Sequence, residues 1–400
     1  MNKTRIIMNM ISREFEIKKP KLIIFGAGEN GINISKILKK NEVKIDYFCD
    51  NDKNKHNKYI NNIRCISLEE LKLKKEESIV LVSPYNDKEI RDILSDNNIN
   101  NVVSKDLMSI LKTVLFSNVK EGYYEFLPHI GHYYSLYPNL DDVINNEKSL
   151  FREDIKIKDI DLNENGQIEV LRKMINLYKD LPQWNNMGSV QKSKLRYKIG
   201  NSRFPLGDAV GLNTMLRILK PNKLIEVGSG YSSAVILDTN EFYLENSIDL
   251  TFIEPYPNFL KAVSKESDTI VLYENKLQDI PVEQFEQLNK GDVLFIDSTH
   301  VSKIGSDVNY LFFEILPKLK KGVYIHLHDI FYPFEYPKEW IYKGQVWNEL
   351  YLLRAFLQNN KDYTITYFQN MMEKKYYDLI LEKWPYTQKP YGGSIWFVKN

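Results

Sequence analysis

Cysteine is almost absent from this chain: there are two, Cys49 and Cys65, in 400 residues. They make neither a metal-ligand spacing nor a disulfide framework, which excludes a cysteine-stapled secreted fold and suits a reducing cytoplasm. Long apolar runs are missing too. No stretch of about 18 consecutive apolar residues is available to cross a bilayer. The basic N-terminus, MNKTRIIMNMISREFEIKKP, has its apolar residues interrupted every few positions, unlike a signal peptide. Nor does either charge dominate: 54 Lys plus Arg face 53 Asp plus Glu, for a net charge of +1. That balance sets up no global field for a polyanion, so nucleic acid is not an expected partner, and neither is membrane insertion. Internal repeats and low-complexity linkers are also lacking.

What is present is the composition of a globular protein, 43% hydrophobic and 27% charged, at a length that predicts two domains. The 26 Tyr and 19 Phe are enough to line a pocket as well as a core.

The first candidate domain opens on residues 21–28, KLIIFGAG, an apolar burst followed by glycines. Ile32, Ile34, Ile37 and Leu38 then recur at helical spacing, giving strand, tight turn and helix. A second strand over 44–49 ends in Asp50-Asn51-Asp52, a third burst covers 79–83, and a helix spans about 86–94. The pattern predicts a small α/β unit over about 20–105, one mononucleotide-binding half. Gly26, Gly28 and Gly31 allow the tight turn and close helix packing, and the helix N-terminus offers amides to a phosphate. Asp50 stands where a ribose-binding acid is expected. A nucleotide or nucleotide-sugar is the favoured ligand; a degenerate domain kept for docking or homo-oligomer formation is the alternative.

A connecting helix is expected over 104–116 and helices over 168–177 and 205–219. A second βαβ pattern follows, with strands at 224–227, 250–253, 269–273, 292–296 and 322–327. After a helix over 348–358, two last strands at 363–368 and 394–399 close the chain. These elements predict a mostly parallel sheet with one antiparallel strand. The fold class is α/β with two Rossmann-like domains: 1–115, a connecting or lid segment over 116–165, and 166–400.

Ligands in open α/β sheets lie across the carboxyl ends of the strands. Those ends carry, in order, Glu226 with Gly228 and Gly230, then Glu254, Gln278-Asp279, Asp297 and His328-Asp329. Glycines admit a ligand to the first turn. An acid at the end of the second strand accepts hydrogen bonds from ribose hydroxyls, and polar residues after the third can read an adenine edge. A nucleoside-containing cofactor fits this layout.

The motifs LIEVGSGYSSAV, TFIEPYP, VLFIDSTHVSKIGSDVNYLFFEILPKL, GVYIHLHDIFYPFEYPKEW and WNELYLLRAFLQ resemble a bacterial group of class I S-adenosylmethionine-dependent methyltransferases often met near surface-glycan genes. The likeness runs from GHYYS to GGSIWFVK, about two thirds of the chain. It implies S-adenosyl-L-methionine as cofactor, bound by Glu226, Gly228, Ser229, Gly230, Ser232, Ser233, Glu254 and Asp297, with Gln278 and Asp279 near the adenine. Ser232 stands where a third glycine is common in the wider class.

Methyl transfer to a hydroxyl needs a collinear nucleophile and a proton acceptor. His300 is the first candidate base, being a near-neutral titrator three residues after Asp297; His328 is the second, and His326, deeper in the strand, is taken as structural. No metal is expected; if one binds, Asp297 and Asp329 are its ligands, although Ile330 stands where related enzymes carry a further oxygen ligand. Tyr332, Glu335, Tyr336, Trp340 and Trp347 are expected to wall the acceptor pocket, with His129, His132, Tyr133 and Tyr134 as a lid. Arg203 and Asp208 are placed to gate the cofactor. On KLIIFGAGENG and YFCDND, the N-terminal unit resembles the small Rossmann-like domains of surface-sugar-modifying enzymes.

Together these imply methylation of a sugar hydroxyl or another glycan-linked oxygen or nitrogen, in cytoplasmic steps of cell-surface or flagellar glycan assembly. Two alternatives stay open. One is a nucleotide-sugar-binding or assembly protein with a silent methyltransferase fold. The other is a nicotinamide-dependent oxidoreductase built on Gly26 to Asp50, for which no proton relay is visible in the sequence.

Overall fold

The computed structural model describes residues 20–40, 43–83, 88–103, 131–189 and 193–400. The chain divides into two compact units, Met1–Pro138 and Asn139–Asn400. That boundary cuts the expected connecting segment, leaving residues 139–165 with the second unit. The helix expected over 104–116, and His129, lie outside the described residues.

In the first unit, β1 (Lys21–Phe25) pairs in parallel with β2 (Tyr47–Cys49) on one side and β5 (Ser78–Val82) on the other. The sheet order is β3-β4-β2-β1-β5, where β3 (Tyr59–Ile60) and β4 (Ile63–Ile66) form an edge hairpin. After their first residues, Lys21 and Ser78, β1 and β5 are apolar because both faces are covered. Leu22, Ile24 and Leu81 pack with Ile34, Leu38 and Phe48, while Ile23, Phe25 and Val80 pack with Leu71 and Leu94. β2 is shorter than the expected 44–49 because the Asp46 side chain, not a ladder carbonyl, accepts the Leu22 N–H at 3.0 Å. The hairpin was not legible as such. Its turn is Asn61-Asn62, both at positive φ (50° and 60°), the two-residue geometry that matches strand twist and that asparagine tolerates.

The second unit holds a small parallel pair, β6 (Asn185–Asn186) with β7 (Lys198–Ile199), and a seven-stranded sheet. Its strands are β8 (Lys223–Val227), β9 (Asp249–Ile253), β10 (Ile270–Tyr273), β11 (Val293–Ile296), β12 (Tyr324–His328), β13 (Tyr363–Phe368) and β14 (Ser394–Lys399). The order is β10-β9-β8-β11-β12-β14-β13. β14 runs antiparallel to both neighbours, as expected, and the other pairings are parallel. Gly322, at φ 85°, turns the chain just before β12, so that strand starts later than expected and keeps His328 in register with Ser394. The segment between β13 and β14 forms two helices, Gln369–Lys375 and Tyr377–Leu381. From β8 the chain winds outward to β9 and β10, then returns to β11 on the other side. Loops leaving β8 and β11 therefore diverge and open a crevice at their carboxyl ends.

A buried guanidinium anchors the segment leading to that crevice. Arg196 pairs with Asp238 (3.1 Å), Glu241 (2.7 Å) and Asp268 (2.6 Å), and the next residue, Tyr197, donates its hydroxyl to the Phe204 carbonyl at 2.7 Å. Asn201 then pins the following turn: its side-chain oxygen accepts from Arg203 N–H (3.1 Å) and Phe204 N–H (2.7 Å).

Candidate active site

The first wall of the crevice is the turn after β8. Gly228 sits at φ 84°, and a Cβ there would lie 1.7 Å from the Asp297 carbonyl oxygen, so no other residue lets β8 and β11 close this tightly. Around Gly230 a Cβ would meet nothing within 4 Å, which leaves the inner face of the turn open. Glu254, just past β9, reaches back to the turn: Ser229 N–H donates to Oε2 at 3.1 Å and Tyr256 N–H to Oε1 at 2.7 Å. Glu226 is fully buried beneath, accepting from the Ser233 hydroxyl, while Gly230 N–H donates to Ser233 Oγ at 3.0 Å. Burial pushes the Glu226 carboxyl up to about 8, against the serine hydroxyls that favour its anion. Glu226, Ser232 and Ser233 thus shape the turn from inside, while Ser229, Gly230 and Glu254 face a cavity of about 340 Å³. Phe204, Tyr231 and Phe259 supply its apolar sides, Asp297 its floor and Arg203 its rim.

Across the sheet, four carboxylates surround two buried imidazoles. His300 Nδ1 lies 2.9 Å from Glu349 Oε2, and its Nε2 faces Asp297 Oδ1 (3.3 Å) and Asp329 Oδ2 (3.4 Å). His328 Nε2 is 3.3 Å from Asp208 Oδ2, and its Nδ1 is 3.4 Å from Asp297 and 3.5 Å from Asp329. His300 and Asp329 hold left-handed backbone conformations, φ 59° and 57°, that the surrounding contacts maintain. The expectation of a near-neutral His300 is corrected here. Burial opposes its charge, but the Asp297 and Glu349 carboxylates outweigh burial and push it up to about 10. His328 is also raised; burial again opposes, and Asp329, Asp297 and Asp208 prevail. In return the imidazoles, His328 foremost, overcome burial and hold the Asp297 carboxyl below the usual range. Asp297, His300 and Asp329 each present a donor atom, all within 4.8 Å of one another. Two carboxylates and an imidazole fit a divalent ion, which would polarise an acceptor hydroxyl there.

A larger cleft of about 1,040 Å³ adjoins, sharing Arg203 with the smaller cavity. Asp208 and Asp329 line its floor, and the histidines stand behind them. Its sides include Tyr332, Glu335, Tyr336, Trp340 and Trp347, the residues expected at an acceptor pocket, together with Phe331. Trp347 stacks on the His300 ring at 4.4 Å. The opposite side comes from residues 147–153, tied to the segment after β12 by Glu147 with Lys338 Nζ and Tyr342 OH (both 2.6 Å) and to the helix Gln369–Lys375 by Glu153 with Lys374 (2.8 Å).

A family model described as a methyltransferase domain matches residues 225–330, and one described as C2185-like, N-terminal matches residues 18–103. An Archaeoglobus fulgidus protein described as uncharacterized is 31% identical over 163 residues, which span 40% of this chain and 73% of that protein. The chain belongs to that protein's family. Its second unit is a class I methyltransferase fold. Among solved structures, the plantazolicin methyltransferase BpumL, in complex with a triazolic desmethylPZN analogue and SAH, is 15% identical, covers 60% of this chain and all of its own, and has a TM-score of 0.33. Methyltransferase FkbM from Methylobacillus flagellatus is 8% identical, with 98% and 93% coverage and a TM-score of 0.36. Both are too distant to bear on the site.

The methyltransferase domain match spans every strand-end residue singled out above. Gln278 and Asp279, however, do not line the cavity; Gln278 Nε2 donates to the Gly305 carbonyl at 2.7 Å. His326 stacks flat on Phe295 at 4.0 Å, burial holds it well below its usual range, and it behaves as a core residue. His132, Tyr133 and Tyr134 belong to the first unit, where both tyrosines are exposed. In that unit Asp50 is occupied by its own chain: Ala27 N–H (2.7 Å), Asp52 N–H (2.9 Å) and Lys55 Nζ (2.9 Å). Gly31 packs so that a Cβ would lie 1.9 Å from the Gly26 carbonyl, while Gly28 faces open space. Sequence reasoning missed Glu349, the buried partner of His300. The available signal was an acid opening the helix Glu349–Leu357, in which Arg354 is the one other charged residue.

Proposed function

We propose that the chain transfers a methyl group from S-adenosylmethionine to a hydroxyl or another polar oxygen or nitrogen of a sugar acceptor, in cell-surface or flagellar glycan assembly. The observation that carries this reading is the Glu254 carboxylate spanning the glycine turn beside an open cavity, with Asp297 at the switch point and an aromatic-walled cleft adjoining. Glu254 takes the ribose hydroxyls, Gly228 to Gly230 admit the thioether chain, and Asp297 faces the amino group. The rings of Phe331, Trp340 and Trp347 suit stacking on sugar faces.

In the transfer, the acceptor oxygen attacks the methyl carbon in line with the carbon–sulfur bond. The C–O bond forms as the C–S bond breaks, and sulfur leaves with the electron pair as the neutral thioether of S-adenosylhomocysteine. The acceptor proton goes to the acid cluster, where Asp329 faces the cleft and His300 and His328 stabilise the carboxylates from behind. Positioning supplies the larger share of the acceleration and proton transfer a further 10²- to 10⁴-fold or so.

Calorimetric titration of the full chain with S-adenosylhomocysteine tests the donor half: micromolar binding at one site per chain is expected, and no heat would overturn it. Labelled S-adenosylmethionine presented with nucleotide-sugars and surface-glycan fragments tests the acceptor half. Donor binding without label on any of them would overturn that part alone.

A further inference from the structure

The smaller cavity carries a charge inventory that its known motif residues do not complete. Two acids face it, Glu254 and Asp297, and a single cation, Arg203. Arg203 comes from outside the methyltransferase-domain match, which begins at residue 225. Among the described residues its guanidinium has no hydrogen-bond or ion-pair partner. Its backbone, by contrast, is fixed: Asn201 accepts its N–H, and the Arg196 and Tyr197 contacts tether the segment from below. A long cationic side chain on an immobile base, unpaired and aimed at the junction of two cavities, is arranged to receive an anion.

On the reading of the donor given above, we propose that Arg203 binds the α-carboxylate of the methyl donor and so positions its methyl group at the mouth of the acceptor cleft. The donor's polar groups then each find a counterpart: the ribose diol at Glu254, the α-ammonium at Asp297, the carboxylate at Arg203. Fixing the carboxylate end orients the sulfonium between them. Because Arg203 also lines the larger cleft, the bound carboxylate neutralises it there and leaves the cleft facing a less positive rim once the donor is in place. Arg203 is a positioning residue in this scheme; it touches the cofactor but not the reacting atoms.

The test compares two nucleosides on the full chain. S-adenosylhomocysteine carries the amino-acid carboxylate; 5′-methylthioadenosine has the same adenosine and thioether without it. For Arg203→Met we expect S-adenosylhomocysteine to bind about 30-fold more weakly while methylthioadenosine changes by less than about twofold. Arg203→Lys should recover part of the loss, since a point charge replaces a bidentate fork. Equal weakening of both nucleosides would assign Arg203 a structural role, and unchanged S-adenosylhomocysteine binding would release it from the donor; either overturns the proposal. A rise in acceptor KM with donor affinity intact would also overturn it, handing Arg203 to the acceptor. Failure of the wild-type chain to bind either nucleoside would instead remove the donor reading itself, and this inference with it. Thermal melts of both variants should match the wild type, because the replaced side chain makes no contact that holds the fold.

Discussion

The two glycine turns of this chain are built alike and equipped differently. In each, a buried parallel strand ends in a glycine at positive φ, Gly26 at 98° and Gly228 at 84°. An acid past the neighbouring strand accepts the middle N–H of the turn: Asp50 from Ala27, Glu254 from Ser229. The difference lies in what surrounds the acid and what ends the strand on the other side. Asp50 carries its own counter-ion, Lys55, whereas Glu254 has no cation within ion-pair distance among the described residues. After β5 the first turn meets Ser83, whose hydroxyl donates to the Gly26 carbonyl at 2.9 Å. After β11 the second meets Asp297 and the imidazole cluster. The shared backbone device thus stands beside unspent charge only in the second unit, among the described residues.

That contrast can be broken most forcefully at the flanking strand end. Asp297→Ala should abolish measurable turnover and weaken S-adenosylhomocysteine at least about 100-fold, while Ser83→Ala leaves both unchanged; radiometric transfer and calorimetry read the two together. Next is the close approach itself. Gly228→Ala, with its Cβ 1.7 Å from a carbonyl oxygen, should cost about 3 kcal/mol or more in denaturant unfolding. Glu254→Gln should weaken S-adenosylhomocysteine by about 10- to 100-fold, the worth of charge-assisted bonds to two hydroxyls, and Asp50→Asn should not alter it. Smaller still is an effect of pH. The Glu226 carboxyl is raised to about 8 in the folded chain, so its contribution to stability is complete below its unfolded value and is lost as pH rises through 8. Relative to Glu226→Gln, wild-type thermal stability should decline between about pH 5 and 8. The finest comparison sets Gly230→Ala against Gly28→Ala, both with nothing within 4 Å of the new Cβ. Melting temperatures should hold in both, and only Gly230→Ala should lose donor affinity.

Much of this was legible in residue order. The seven strands of the second sheet follow from apolar bursts spaced by helical patterns, and the last two, 363–368 and 394–399, coincide with β13 and β14. Strand ends named Glu254, Asp297, His328 and Asp329 because carboxyl-terminal positions are fixed once the strands are. Partners arriving from elsewhere were not legible. Glu349 reaches His300 across 49 residues and Asp208 reaches His328 across 120, distances over which pattern carries no information about which acid faces which ring. The raised pKa of His300 was not legible for the same reason, since its ordinary value near neutrality says nothing of the carboxylates that enclose it. The Asn61-Asn62 hairpin escaped for a different reason: its strands are two and four residues long, too short to show alternation.

The wall of the large cleft formed by residues 147–153 is fastened by partners that all stand in water: Glu147 with Lys338 and Tyr342, Glu153 with Lys374. Each exposed pair of this kind is worth at most about 1 kcal/mol, and dissolved ions shorten its reach to about 8 Å at physiological strength. The smaller cavity is instead framed by the backbone of its glycine turn and the part-buried acids Glu254 and Asp297, and the exposed Arg203 on its rim is the group there that salt reaches most readily. The two halves of the site therefore answer differently to their medium. On the proposed reading, ionic strength becomes a dial that acts first on how readily a bulky acceptor enters, and on the hold of the donor only through its Arg203 contact.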